Sequence, residues 1–202
     1  RAVEDWEAEH GVVIVMNPRN GDVLAMANYP SFDPNAFGEV EDEKDLINLA
    51  IAQEYDAGPV ILPLTIAGAI EQHVIPTDWT YDDRGIINIG GLDIYNPDGR
   101  AYGVVDLHQV VVDSLDVGAA TIALEMGYER FYEAMRTFGF GTASGVDLIG
   151  EIAGELRTPL DEDWSEQDLG RNSYGDFLPV TPIQLITAYG AIANDGLMMQ
   201  PR

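Results

Sequence analysis

Two short apolar runs open the chain. Gly11–Met16 and Val23–Ala27 are separated by a turn that contains Asn20-Gly21. Apolar runs joined by a short turn of this composition are typical of a β-hairpin. We therefore predict a hairpin over residues 11–28. The segment 29–35, rich in proline and turn formers, and the acidic run 39–45 predict a loop after it.

Apolar positions at helical spacing dominate the remainder and predict four helices, over residues 59–72, 106–126, 128–138 and 181–194. The second has a candidate N-cap in Asp106, the third ends at Gly139, and Thr181-Pro182 begins the fourth. The acidic segment 161–168 predicts another loop. The helical region is thus expected over about residues 46–196.

Only one hairpin is evident in this pattern. An isolated two-stranded hairpin is marginally stable in water. The further strands of its sheet are therefore expected outside this sequence, and residues 1–202 are expected to form part of one domain.

The charge balance is strongly acidic. Among 202 residues, 35 are acidic and 10 are basic, which gives a formal net charge of -25. Such a field repels nucleic acid and anionic lipid, so neither is expected as a partner. A solvated acidic surface is the favoured interpretation. Attraction to cations or to a basic partner is the alternative.

Several kinds of chemistry are excluded or disfavoured. The chain has no cysteine, which excludes disulfides, thiolate catalysis and cysteine-zinc sites. No apolar run approaches the roughly 20 residues that cross a bilayer. The opening residues Arg1–Asp5 are polar, so any membrane anchor is expected upstream.

No metal or cofactor is predicted. The three histidines, His10, His73 and His108, lack ligand spacing, and the cluster at 161–163 lacks the glycine of a calcium loop. Gly139-Phe140-Gly141 follows a helix, which indicates a helix stop and not a phosphate loop. The tryptophans are interpreted as core or loop anchors. They are Trp6, Trp79 and Trp164.

Five segments, taken in order, resemble the transpeptidase domain of class B penicillin-binding proteins. They are Tyr29-Pro30-Ser31-Phe32-Asp33-Pro34-Asn35, Pro63-Leu64-Thr65, Gly127–Tyr132, Val180–Leu185 and Ala188–Asn194. The resemblance covers essentially the whole chain. It implies an α+β fold like that of the penicillin-binding proteins and serine β-lactamases, with a helical subdomain and an antiparallel sheet. The C-terminal strands of that sheet are expected beyond Arg202.

Active members carry an S-x-x-K motif at the start of a helix. Its serine is the nucleophile, and its lysine lies one helical turn later as the base. The resemblance places Pro59 and Leu62 at these positions. Proline has no nucleophilic atom, and leucine cannot take a proton. No intact catalytic residue is therefore predicted.

Pro59 removes a further group. In the family, the backbone N–H of the nucleophile is one donor of the oxyanion hole, and proline has no N–H. Loss of one such donor typically costs about 100- to 1,000-fold in turnover. Proline is nevertheless favourable at the start of a helix, so the helix is expected to form.

The second family motif, S-x-N, is half kept as Ser114-Leu115-Asp116. An aspartate in place of asparagine puts an anion where a substrate carboxylate would lie. A polar turn between helices is the favoured interpretation of Ser114 and Asp116. The third motif, K-T-G, would follow Arg202 and is not tested by this sequence.

Three functions stay open. The first is a catalytically inactive domain that acts as a scaffold or regulator in peptidoglycan synthesis or cell division, outside the cytoplasm and with other proteins of those complexes as partners. The second is a module that binds peptidoglycan stem peptides without cleaving them, supported by Ser114. The third is an enzyme that uses other residues. The sole lysine, Lys44, is a poor base for it because acidic neighbours raise a lysine pKa.

Overall fold

The computed structural model describes residues 2–40 and 42–202. The chain divides into two compact units. The hairpin unit comprises Arg1–Glu54, Gly141–Gly154 and Val180–Arg202, and the helical unit comprises Tyr55–Phe140 and Glu155–Pro179. The hairpin unit combines strands and helices, and the helical unit is mainly helical with short paired strands.

The hairpin unit contains the predicted hairpin. Strands β1 (Gly11–Met16) and β2 (Val23–Tyr29) are antiparallel, with Val13 opposite Ala27 and a register irregularity between Val15 and Met16. Alternate residues of β1 are exposed, and the other face packs on a small core. That core is made of Ala50, Ile51, Val146 and Ile183. The prediction of a hairpin over residues 11–28 is confirmed.

In the described part of the hairpin unit, three α-helices accompany the strands: α1 (Ala2–Asp5), α2 (Leu49–Ala52) and α7 (Pro182–Ala193). The predicted start of α7 is confirmed, because Thr181 and Gln184 form a reciprocal capping box. The Gln184 amide also donates to the carbonyl oxygens of Thr142 and Ala153 at 2.7 and 2.6 Å. This side chain therefore fixes the 141–154 segment on α7.

The segment between β2 and α2 contains short helical turns in addition to loop. Two 3-10 helices occupy Pro34–Glu39 and Glu43–Leu46. Asp33 and Asp42 cap them, each accepting a backbone N–H two residues later. Aspartates in a loop thus nucleate local turns. The part of the predicted acidic loop at Glu41 lies outside the described residues.

Four helices dominate the helical unit. They are α3 (Leu62–Glu71), α4 (Leu107–Val112), α5 (Asp116–Thr137) and α6 (Glu166–Asn172). Helix α5 packs against both α3 and α6. The contact with α3 is close, because a Cβ on Gly68 would lie 2.7 Å from the Cβ of Ala134. Fully buried Leu64, Ile122 and Phe131 fill the core.

Six further strands are short. Strand β3 (Tyr55–Asp56) pairs with β8 (Pro179–Val180), β4 (Thr80–Asp83) pairs with β7 (Gly103–Asp106), and β5 (Ile86–Ile89) pairs with β6 (Leu92–Tyr95). The expectation of a single hairpin is therefore wrong. Gly90 and Gly91, with φ of 58° and 86°, form a two-residue connection whose sequence is a hairpin signal.

The prediction of one continuous helix over residues 106–126 is also wrong. The helix breaks between α4 and α5, where Ser114 has a φ of 50°. The predicted boundary after residue 126 is confirmed, since Gly127 is non-helical with φ 71° and ψ 161°. Gly139, with a φ of 88°, ends the next helical segment as predicted.

Helix α6 replaces part of the loop predicted at 161–168. Ser165 and Asp168 form a capping box at its start, a signal that lies within the acidic run. Of the tryptophans, Trp79 stacks on Tyr81 with 5.1 Å between ring centroids, and Trp164 donates its Nε1–H to the Tyr132 hydroxyl at 2.7 Å. Trp6 is 85% exposed, so of the two interpretations, core or loop anchor, the first is wrong for this residue.

Candidate functional site

The start of α3 carries the first pair of candidate positions. A 3-10 helix, Gly58–Ile61, leads into α3, and the N–H of Leu62 donates to the carbonyl oxygen of Pro59. Pro59 is exposed, whereas the side chain of Leu62 is 1% exposed and belongs to the core. The two positions thus share one helical turn, as predicted, but neither offers a group that reacts or takes a proton.

The turn between α4 and α5 carries the second pair. The N–H of Leu115 donates to the carbonyl oxygen of Val110 at 2.9 Å, and the Leu115 side chain is fully buried. This closes α4 and holds Ser114 in the left-handed conformation, partly exposed. Asp116 begins α5. The prediction of a polar turn between helices fits this geometry.

A buried amide fixes the start of α5 from outside the helix. The N-cap residue of α5 is Leu115, and its side chain makes no capping hydrogen bond. Instead, the N–H of Val117 donates to Oδ1 of Asn96 at 3.2 Å, and Nδ2 of Asn96 donates to Oδ2 of Asp83 at 2.7 Å. Asp83, 1% exposed, also accepts the N–H groups of Gly85 and Tyr102 at 3.0 and 3.2 Å. A buried carboxylate with three donors is well satisfied.

Asp116 is less well satisfied. Its Oδ1 is buried and has no hydrogen-bond partner among the described residues. Burial, and then the nearby charge of Asp176, raise the pKa of the Asp116 carboxyl to about 7. Burial, followed by the charges of Asp176 and Asp116, raises the pKa of the Tyr174 hydroxyl to about 12. These three side chains therefore form one electrostatic group.

The 174–177 segment, Tyr174–Phe177, connects this group to the start of α3. The N–H of Gly58 donates to the carbonyl oxygen of Gly175 at 3.0 Å. Just before the segment, Thr65 donates its hydroxyl to the carbonyl oxygen of Ser173 at 2.9 Å. The start of α3 and the Asp116 carboxyl are thus both linked to residues 173–177.

Side chains of α6 hold the 174–177 segment in place. Nδ2 of Asn172 donates to the carbonyl oxygens of Asp176 and Phe177 at 3.1 and 2.8 Å, while its Oδ1 accepts the Tyr132 hydroxyl at 3.0 Å. Nε of Arg171 donates to Oδ2 of Asp176 at 2.7 Å, and its guanidinium lies 3.5 Å from the centre of the Phe177 ring. Sequence reasoning missed Asn172 and Arg171, as it missed Asn96 and Asp83.

The chain matches a known protein family over most of its length. Residues 11–202 match the family model described as the penicillin-binding protein transpeptidase domain. The chain belongs to this transpeptidase family. Its α+β fold, with helices and antiparallel strands, is the one that the resemblance implied.

Relatives and solved structures agree with the family model. Penicillin-binding protein PbpB of Mycobacterium tuberculosis is 34% identical over 191 residues, which cover 94% of this chain and 28% of that protein. The crystal structure of penicillin-binding protein 3 from Mycobacterium tuberculosis, complexed with aztreonam, matches with a TM-score of 0.89 at 32% identity. That match covers 100% of this chain and 44% of the other chain.

Stage V sporulation protein D of Bacillus subtilis is a further relative, 30% identical over 207 residues that cover 100% of this chain and 32% of that protein. The chain therefore spans about a third or less of these curated relatives.

The other sequence-predicted candidates and the cavities are described unit by unit. Lys44 is exposed and belongs to the hairpin unit. Within residues 2–40 and 42–202, no group of three or more histidine, aspartate or glutamate side chains is placed to hold a metal ion. Two cavities of about 380 and 250 Å³ lie on the helical unit, one at Gln72 and Arg130 and the other at Tyr132 and Arg136.

Proposed function

We propose that this transpeptidase-family domain is catalytically inactive and acts as a scaffold or regulator in peptidoglycan synthesis or cell division. The observation that carries the proposal is the pair Pro59 and Leu62 at the start of α3, where the family resemblance places the nucleophile and the base. A covalent acyl-enzyme needs a hydroxyl or thiol with a base close by. An exposed imino ring and a buried hydrocarbon supply neither.

Several relatives have names that state an activity. Peptidoglycan D,D-transpeptidase MrdA of Escherichia coli is 29% identical to this chain over 212 residues. Our proposal separates this domain from that activity, because the fold is kept while the groups that would attack, deprotonate and stabilise an oxyanion are absent at the motif positions. A fold can host a different function when only its site changes.

The proposed setting is extracytoplasmic, with proteins of cell-wall synthesis or division as partners. Two observations support this setting: the family match, and an acidic charge that disfavours nucleic acid. In the described part of the chain, no helix combines the length and the apolar character that a membrane span requires.

Non-covalent binding of a stem peptide is the second candidate, and Ser114 supports it. The ionised carboxylate of Asp176 opposes it, and above about pH 7 so does that of Asp116, because a stem peptide ends in a carboxylate and like charges repel. Calorimetric titration with a D-Ala-D-Ala peptide distinguishes the two proposals. We expect no heat at millimolar peptide, and saturable heat would favour the binding module.

Labelling with a fluorescent penicillin tests inactivity directly. The full-length protein is incubated with the probe beside PbpB of Mycobacterium tuberculosis, and both are denatured before fluorescence is read from a gel. We expect label on the relative only. Stoichiometric label that survives denaturation and maps within residues 1–202 would overturn the proposal.

A Ser114→Ala variant then identifies an unconventional enzyme. If label on residues 1–202 disappears in this variant, acylation requires Ser114 and the third function, an active transpeptidase with other residues, replaces ours; the mapped peptide then identifies the acylated residue.

A further inference from the structure

A groove between α3 and α5 has no part in the site described above. A cavity of about 380 Å³ lies where the end of α3 packs against the second half of α5. Its floor is apolar, since Gly68 and Ala134 are buried and the half-buried ring of Phe138 lies beside them. A Cβ on Gly68 would lie 3.9 Å from this ring. The small residues thus leave an apolar groove on the helical unit.

Charged side chains form the rim of the groove. Glu71 on α3 and Glu133 and Arg130 on α5 line it, and all three are exposed. The ion pairs found within residues 2–40 and 42–202 involve none of them. Two carboxylates face one guanidinium, so the rim carries an excess of negative charge and neither carboxylate is held by a cation of this part of the chain.

The end of α3 adds to the negative potential of the rim. Helix α3 ends at Glu71, and the carbonyl end of a helix carries a partial negative charge. Gln72 follows and donates its Nε2–H to the carbonyl oxygen of Arg130 at 2.9 Å. Hydrogen-bond acceptors and negative charge therefore surround the apolar floor.

We propose that this groove is a docking site for a cationic segment of another protein. The apolar stem of a lysine or arginine of that segment packs on Phe138, and its charged head lies between Glu71 and Glu133. Long basic side chains bury their stems on apolar surface while their heads stay near water, which matches this floor and this rim. The net charge of -25 attracts such a partner and repels an acidic one.

The docking site gives the proposed scaffold role a partner of defined chemistry, but it does not depend on catalytic inactivity. Penicillin labelling reports on the start of α3, and none of the groove side chains belongs to that position. Failure of one proposal is therefore distinguishable from failure of the other.

Fluorescence anisotropy with a labelled, capped peptide of alternating leucine and arginine tests the groove. The protein is titrated at about 0.15 M salt, where charges more than roughly 8 Å apart are largely screened. We expect saturable binding that weakens about five- to tenfold in Glu71→Gln/Glu133→Gln, the loss expected for two exposed ion pairs. The same peptide with glutamine in place of arginine should not bind.

Glu162→Gln/Asp163→Asn is the matched control. It removes two exposed carboxylates from the same unit, and neither of them lines the groove. The affinity should change less than about twofold. Equal losses in the two double variants would show that the peptide responds only to net charge and would overturn the proposal, as would an absence of saturation at millimolar peptide.

Arg130→Gln tests the sign of the charge that the groove accepts. Its guanidinium repels a cationic probe, so we expect the peptide to bind about two- to threefold more tightly to this variant. Amide resonances of Gly68 and Phe138 should shift on binding in both proteins. Weaker binding to Arg130→Gln would indicate an acidic occupant and would refute the proposal. Shifts that spare Gly68 and Phe138 would refute it as well.

Discussion

Gly58 and Gly175 touch backbone to backbone, with the N–H of Gly58 donating to the carbonyl oxygen of Gly175 at 3.0 Å. Gly175 has a φ of 85°, a left-handed conformation that disfavours a side chain. This single contact connects the start of α3, where Pro59 lies, to the segment that carries Asp176.

Gly175→Ala should destabilise the helical unit by about 2–5 kcal/mol. The new Cβ would overlap the Gly58 carbonyl, and overpacking typically costs 1–3 kcal/mol in addition to the strain of a positive φ. Urea unfolding followed by tryptophan fluorescence measures the change, since Trp79 and Trp164 both lie in this unit.

Gly99→Ala is the matched control for this prediction. Gly99 has a φ of 70° but nothing within 4 Å of its Cβ position, so only the conformational cost of about 1–2 kcal/mol applies. Equal losses in the two variants would mean that the contact between Gly58 and Gly175 contributes nothing.

The two positions at the start of α3 should differ in their effect on stability. Leu62→Ala removes a fully buried side chain and should lower the free energy of unfolding by about 2–5 kcal/mol. Pro59→Ala changes an exposed ring and should cost only about 0.4–1 kcal/mol, mainly through the unfolded chain. Urea unfolding of both variants checks this. A small loss for Leu62→Ala would show that position 62 is not a core position.

Asn96→Ala should destabilise the start of α5. It leaves the buried N–H of Val117 without an acceptor and removes a donor from buried Asp83, so we expect a loss of about 2–4 kcal/mol. Asn88→Ala is the control, because Asn88 is exposed and bonds only to exposed groups; it should cost less than about 0.5 kcal/mol. Similar losses would contradict the role of Asn96 as an external cap.

Local signals in the sequence were sufficient for part of this fold. The hairpin follows from two short apolar runs and Asn20-Gly21, and α7 follows from Thr181-Pro182, since capping involves residues three apart. The Gly90-Gly91 pair is an equally local hairpin signal, and the prediction of helices from apolar spacing did not use it.

The candidate site was predictable in its residue types but not in its contacts. Pro59 and Leu62 could be placed on one helical turn because the turn is local. The bond between Asn96 and Val117 joins residues 21 positions apart, and the charge of Asp176, 60 positions further along, acts on Asp116 only in the folded chain. No periodicity within one segment encodes such pairs, so the raised pKa of Asp116 could not be foreseen.

Asp116→Asn should change how stability depends on pH. Because the folded-state pKa of Asp116 is raised to about 7, above the roughly 3.9 of an unfolded aspartate, the folded protein binds the extra proton between these values. The stabilisation from this group is therefore fully present below about pH 4 and is lost as pH rises through about 7. In the variant, this contribution is absent.

The free energy of unfolding of the wild type, minus that of Asp116→Asn, should therefore be lowest at pH 8 and should rise toward pH 4. Urea unfolding at four pH values between 4 and 8 measures it, and taking the difference cancels the repulsion among the many other carboxylates. Asp113→Asn, measured in the same way, is the control for the removal of one carboxylate near the start of α5. A difference that stays constant over this range would show that Asp116 titrates as an ordinary exposed aspartate.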